Sequence, residues 1–426
     1  MRRPRAVTDL KTIIFVIFLT AGPWKGDPRF AWIPFDLTLL AAIATVVLVG
    51  FEVLRMKERV PRGAGWLVAF WWLLAIPIAW TDMTPYAMVK VTRLFTLTVL
   101  VSVAPLFLFR TREGVRRFLF TYGCVGFVMA ADVLRQLVQG QSQQALTAFA
   151  ADTITVGRSM GMTFIWLFFL VLNRRLSPVR GIPLLALVGF TALASGSKGP
   201  LLFGLSSIAL SVLVFYRQKL KRLAKLGLLA TFLLLQLSQL VEYVPQGALR
   251  RLTRFLSGDF SSDSVVDRAQ LFTEAMRSIP GHPLGTGWGV YEVRIGTMTN
   301  IYPHNLVLEI LYEAGWLAGA FFVYLLVLAG HRAYKNATNT EWIIVFTLYT
   351  FAVGNSMVSG DMNGERLFWA LFGLSLQRVY EAARAPAPAP AGPAPPRPVP
   401  AVPRRPPVRG LPGFGRPEGA PHLPPR

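Results

Sequence analysis

The 426-residue chain has one cysteine and four histidines, and only 15% of it is charged. Its one thiol, Cys124, lies inside an apolar run, so no intramolecular disulfide can form. Neither C-x-x-C nor H-E-x-x-H occurs, and the sequence predicts no bound transition metal. Phosphate-cradling glycine motifs are lacking too. GTGWGV at 285–290 follows no expected strand and opens no βαβ unit, and GSKGP at 196–200 lacks the GxxxxGK[ST] spacing. No cofactor is expected. Acidic residues are scarce as well, 22 against 44 Lys and Arg, for a net charge of +22. That excess would suit nucleic acid if it formed one patch. It is instead dispersed in short clusters between apolar runs, which argues against a nucleic-acid partner.

What is abundant is apolar: 53% of the residues are hydrophobic. Runs such as Leu37 to Leu54, Gly199 to Tyr216 and Trp316 to Gly330 approach the roughly 20 residues that cross a bilayer. In lipid the backbone must satisfy itself, so such spans are helices. The expected fold is all-α, a polytopic transmembrane bundle of about 12 spans, near 10–24, 35–54, 64–80, 86–109, 117–138, 157–172, 180–195, 199–216, 222–242, 304–330, 341–359 and 364–380. With the N-terminus inside, the basic clusters all fall on the cytoplasmic side: Arg2, Arg3 and Arg5; Arg55, Lys57, Arg59 and Arg62; Arg110, Arg112, Arg116 and Arg117; Arg174, Arg175 and Arg180; Arg217 to Lys225. The opposite loops, 81–85 and 139–157, are nearly free of Lys and Arg. The basic, then apolar, N-terminus shows no small-residue cleavage site after Thr20 and reads as an uncleaved first span.

Four regions follow. Residues 1–243 hold spans one to nine. Residues 244–303 form a large extracytoplasmic loop carrying both signs of charge, with an amphipathic helix at DRAQLFTEAMRSI capped by SSD at 261–263. Residues 304–382 hold the last three spans. Residues 383–426 are a Pro-rich, low-complexity cytoplasmic tail.

One stretch breaks the apolar rule. YPHNLVLEILYEAGWLAG, Tyr302 to Gly319, sets His304 and Asn305 before a span and places Glu309 and Glu313 inside it. Ionisable groups in a membrane are costly and mark functional sites by default. Asn305, Glu309 and Glu313 recur every four residues on one helix face, which should look into the bundle. The topology gathers Arg158, Lys198, Arg268, His304, Asp361, Glu365 and Arg366 at one outer surface. Arg and Lys can hold a diphosphate, Arg by bidentate hydrogen bonds. A histidine can take a proton from a hydroxyl. Together they fit glycosyl transfer from a polyprenyl-diphosphate sugar to an acceptor hydroxyl. Each residue also has a plainer role available. His304 could cap the helix entrance, Lys198 could snorkel at the interface, Arg268 could pair with Asp263 or Asp267, and Arg366 could pair with Glu365 or Asp361. Gly315 and Gly319 form a small-xxx-small pair that permits close helix packing.

YPHNLVLEILYEAGWLAG resembles the signature of the O-antigen ligase and polymerase superfamily, an HN pair followed by spaced Glu and Gly. The preceding DRAQLFTEAMRSIPGHPLGTGWGVYEV looks like that family's loop, and SGSKGPLL resembles its SRG-type motif, with Lys198 where the family usually has Arg. The resemblance runs from about Ala194 to Tyr380. It implies a metal-independent glycosyltransferase in the bacterial inner membrane, working at the periplasmic face; the charge pattern puts both termini in the cytoplasm. It implies that His304 is the base, with Glu309 one turn below in support. Arg268 would bind the donor diphosphate, joined by Lys198, Arg366 and Arg158. The expected donor is an undecaprenyl-diphosphate-linked glycan, and the expected acceptor is lipid A-core. The alternatives are a polymerase joining repeat units on the same carrier, a lipid-linked glycan transporter and a membrane scaffold without enzymatic activity.

Overall fold

The computed structural model describes residues 9–56, 60–139, 146–219, 245–257, 263–295 and 298–377, all within one unit, Met1–Val379. Several of its helices start where a short polar side chain accepts N–H groups that a first turn leaves unpaired. Asp9 caps α1 (Leu10–Gly26) and Asp36 caps α2 (Leu37–Arg55). α3 (Arg62–Ala75) continues into a 3-10 segment, Ile76–Trp80. Thr84 caps α4 (Pro85–Arg93), which runs through one π-helical turn, Leu94–Thr98, into α5 (Val99–Leu108). Thr111 caps α6 (Arg112–Val138), and Asp152 caps α7 (Thr153–Leu172). α8 (Pro178–Ala194) and α9 (Lys198–Phe215) follow.

The region between α9 and the last three helices contributes α10 (Gln246–Leu256) and α11 (Asp263–Ser278). The amphipathic helix expected at 267–279 therefore begins four residues earlier. A two-stranded antiparallel hairpin, β1 (Val293–Ile295) and β2 (Met298–Asn300), is a small exception to the all-α reading. The chain ends in α12 (Leu306–Asn336), α13 (Thr340–Ser356) and α14 (Arg366–Ser375).

Among the described residues, seven helical segments are long and apolar enough to cross a membrane: Leu37–Arg55, Gly63–Trp80, Pro85–Leu108, Arg112–Val138, Thr153–Leu172, Lys198–Phe215 and Leu306–Asn336. α8 and α14 are apolar but shorter. At about 1.5 Å per residue, the ten residues of α14 span about half the hydrocarbon core. Residues 357–365, just before it, are loop rather than helix. The expected ninth span, 222–242, and the Pro-rich tail lie outside the described residues.

Helices pack through small residues and aromatics. α6 meets α7 where Gly126 faces Thr163 and Gly123 faces the Trp166 ring. α14 lies against α5 so closely that a Cβ on Gly373 would sit 1.8 Å from the Ser102 carbonyl oxygen. Phe70 and Trp71 of α3, Phe322 of the helix Leu306–Asn336, and Phe368 and Trp369 of α14 form one buried aromatic cluster. On α2, Leu39, Leu40, Ile43, Val46, Val47 and Leu54 remain exposed, the surface expected of a helix facing lipid.

Candidate active site at the entrance of α12

Asn305 starts α12. Its Oδ1 accepts from the Leu308 N–H at 3.0 Å, and its Nδ2 donates to the Met357 carbonyl at 2.9 Å. The cap thus pins the mouth of α12 to the end of α13. His304 precedes it with φ +54, the left-handed region where a non-glycine residue is uncommon. Such backbone costs about 1–3 kcal/mol and persists only where its surroundings impose it. The Tyr302 ring stands edge-on to the imidazole, with centroids 4.5 Å apart. His304 Nδ1 is buried without a hydrogen-bond partner among the described residues. Burial, reinforced by the charge of Arg268, holds the His304 pKa down at about 4, against a smaller opposite pull from Asp361. The imidazole is therefore neutral at pH 7.

Arg268 comes from α11. It is half-buried and has neither a hydrogen bond nor a carboxylate partner among the described residues. Burial, with Arg158 nearby, lowers its pKa. The pairing with Asp267 open to it on the helix does not form. A guanidinium held this way can accept an anion, and the neutral imidazole beside it can accept a proton.

The other expected cations are placed differently. Arg158, on α7, lies 2.6 Å from Glu365 Oε1 and donates to the Ser359 carbonyl at 3.1 Å. Glu365 is buried, so this pair is internal. Arg366 pairs with neither Glu365 nor Asp361. It donates to the Phe18 carbonyl at 3.0 Å, with its guanidinium 5.7 Å from the Phe18 ring centroid, and so ties α14 to α1. Asp361 accepts from the Gly364 N–H at 2.9 Å. Lys198, half-buried, is the first residue of α9, a helix set beside α7 by the hydrogen bond from Ser197 Oγ to the Thr153 carbonyl.

Glu309 and Glu313 are fully buried and share one partner that the sequence reading passed over, Lys90 of α4. Lys90 Nζ lies 2.7 Å from Glu309 Oε1, 2.8 Å from Glu313 Oε1 and 2.7 Å from Glu313 Oε2. Glu309 Oε2 also accepts from the Met362 N–H at 3.1 Å, and Glu313 Oε1 from the Gly289 N–H at 3.2 Å. Among the described residues no hydrogen bond joins Glu309 to His304. A lone lysine inside the apolar run 86–109 was the available signal, because an ionisable group at such a position needs a partner.

The glycine turn at 283–289 is stitched into a break in α12. Gly315 has φ +85 and ψ 178, so the helix is interrupted there. The Tyr312 and Glu313 carbonyls, left unpaired by the break, accept from the Thr286 and Gly287 N–H groups at 2.9 and 3.1 Å. Trp316 N–H donates to the Pro283 carbonyl at 2.9 Å. Gly285, with φ +84, passes so close that a Cβ would meet the Glu313 carbonyl oxygen at 2.4 Å. The pairing of Gly315 with Gly319 as a helix-packing stripe is thereby corrected. Gly315 admits the loop, while Gly319 faces Leu311 of its own helix.

Among the described residues no group of three or more His, Cys, Asp or Glu side chains is placed to hold a metal ion. Residues 182–323 match the family model described as O-Antigen ligase. No curated protein matches the chain. Lys198, Arg268, His304, Glu309 and Glu313 all fall inside the matched segment; Lys90, Arg158 and Arg366 fall outside it. The chain is a multi-pass membrane protein whose residues 182–323 are similar to the O-antigen ligase family, and within that stretch His304 and Asn305 stand at the mouth of a helix with buried charges.

Proposed function

We propose that this protein transfers a glycan from undecaprenyl diphosphate to a sugar hydroxyl of a lipid acceptor, lipid A-core, at the periplasmic face of the inner membrane. The observation that carries the reading is the neutral His304 imidazole beside the Arg268 guanidinium, which has no partner among the described residues, at the entrance of α12.

The acceptor oxygen attacks the anomeric carbon while the bond from that carbon to the diphosphate oxygen breaks. His304 takes the hydroxyl proton, a contribution of about 10²–10⁴ in rate. The glycosidic bond forms, and undecaprenyl diphosphate leaves with its charge held by Arg268. Lys198 is the second cation proposed for the diphosphate. Arg158 and Arg366, engaged with Glu365 and with the Phe18 carbonyl, frame the site rather than grip the donor. Glu309, engaged with Lys90 and the Met362 N–H, supports the entrance of α12 from below.

The test uses the protein in proteoliposomes with a defined undecaprenyl-diphosphate oligosaccharide, with and without lipid A-core. One addition that requires the core supports the ligase reading. A ladder of lipid-linked chains without the core replaces it with a polymerase. Donor crossing the bilayer without any product overturns both.

A further inference from the structure

Lys90 is the one group in the buried triad that neither the family segment nor the proposed chemistry uses. It is the sixth residue of α4, fully enclosed. Placing a charged group there is costly unless it is paired and hydrogen-bonded. Its contacts are directional. Through Glu309 it reaches the Met362 N–H, next to Asp361, whose charge is felt at His304. Through its own carbonyl it accepts from Asn363 Nδ2 at 3.0 Å, and Asn363 Oδ1 accepts from Thr98 Oγ1 at 3.0 Å. Through Glu313 it reaches the Gly289 N–H in the glycine turn. That turn follows α11, the helix that carries Arg268, and Trp288 within it lies with its ring centroid 6.0 Å from Lys90 Nζ. Trp288 is itself fixed by Nε1 donating to the Leu74 carbonyl at 3.1 Å.

Two segments therefore converge on one ammonium group. One is the 359–365 loop, on the His304 side. The other is the 283–289 turn, which follows the C-terminal end of α11, the helix that carries Arg268. We infer that Lys90 is a positioning residue of the transfer reaction, setting the spacing between the groups that take the proton and hold the leaving diphosphate. This inference rests on the proposed function. It adds a residue on a different element, 223 positions from Glu313 in the chain. Misalignment of reacting groups by about an ångström lowers rate far more than it weakens ground-state binding.

The test compares wild type with Lys90→Met, and with the charge-free Lys90→Met/Glu309→Gln/Glu313→Gln protein, which carries no unpaired buried charge and so guards against a simple folding failure. Turnover per folded molecule is measured beside donor KM, and hydrogen exchange is followed in peptides covering 283–290 and 358–366. Both variants should show kcat lowered about 10- to 100-fold with donor KM within about 3-fold of wild type. Lys90→Met should also exchange faster in those two peptides. Wild-type kcat in either variant, or unchanged exchange in both peptides, overturns the inference. Absence of transfer in the wild type, with the exchange change intact, overturns the functional reading and leaves the tether as a structural feature only.

Discussion

A histidine that stays neutral beside an arginine is a base at every physiological pH. At His304 the burial of the ring does this, and Arg268 adds to it. The kcat/KM profile should therefore stay level from pH 7 through 6.5 and fall only toward about pH 4, since kcat/KM reports the free enzyme. An acid limb centred at 6.5 would contradict the burial of the ring. The same shift fixes the sign of a stability effect. Between about pH 4 and 6.5 the unfolded chain binds the proton and the folded one does not, so this contribution is present above 6.5 and is lost as pH falls through the window. Replacing the ring directly, His304→Ala should lower turnover about 10²–10⁴-fold while the protein stays folded. For Arg268→Ala, losing charge-assisted hydrogen bonds of about 1.5–3 kcal/mol should cost about 10- to 150-fold in kcat/KM, and Arg268→Lys should recover only part of it.

At the scale of elements, the break in α12 decides how the 283–289 turn attaches. Gly315→Ala puts a side chain at φ +85, and its Cβ would meet the Leu284 carbonyl carbon at 2.5 Å and the Pro283 oxygen at 2.6 Å. The backbone conformation alone costs about 1–3 kcal/mol. We expect a clearly lower melting temperature in detergent; a variant melting with the wild type would show that the turn does not depend on the break. The sequence showed the ingredients of this joint without its assembly. GHPLGTGWG was legible as a turn, and Glu309 and Glu313 as one inward face, because both follow from local spacing. That the turn fills a helix break at Gly315 was not legible, since Glu-Ala-Gly-Trp reads equally well as continuous helix with a small-residue face. The partner of the two glutamates was hidden for a different reason. Lys90 is 223 residues from Glu313, and no periodicity links them.

At the scale of the whole molecule, hydropathy placed the helices well because lipid leaves the backbone no other partner. It was weaker on how many cross. α14 begins only after the loop at 357–365, and its ten residues are too few to span alone. Sidedness rests on the basic clusters, a property of composition rather than of packing, and it carries its own test. A cysteine at Met276, an exposed position on α11, placed in a Cys124→Ala background, should react with a membrane-impermeant maleimide in intact spheroplasts. Labelling only after permeabilisation would invert the topology and put the α12 entrance on the cytoplasmic side. Arg158 and Arg366 mark the limit of reasoning from shared location. Both were gathered at the outer surface by topology, and the fold then engages one with Glu365 and the other with a backbone carbonyl.

The most direct test of the central claim is to count undecaprenyl diphosphate released against glycan transferred, in proteoliposomes holding wild-type or His304→Ala protein. The account predicts one lipid diphosphate released per glycan joined in the wild type, with both products falling together at least 100-fold in folded His304→Ala. Transfer by His304→Ala at the wild-type rate, or glycan transfer without release of the lipid diphosphate, would contradict it.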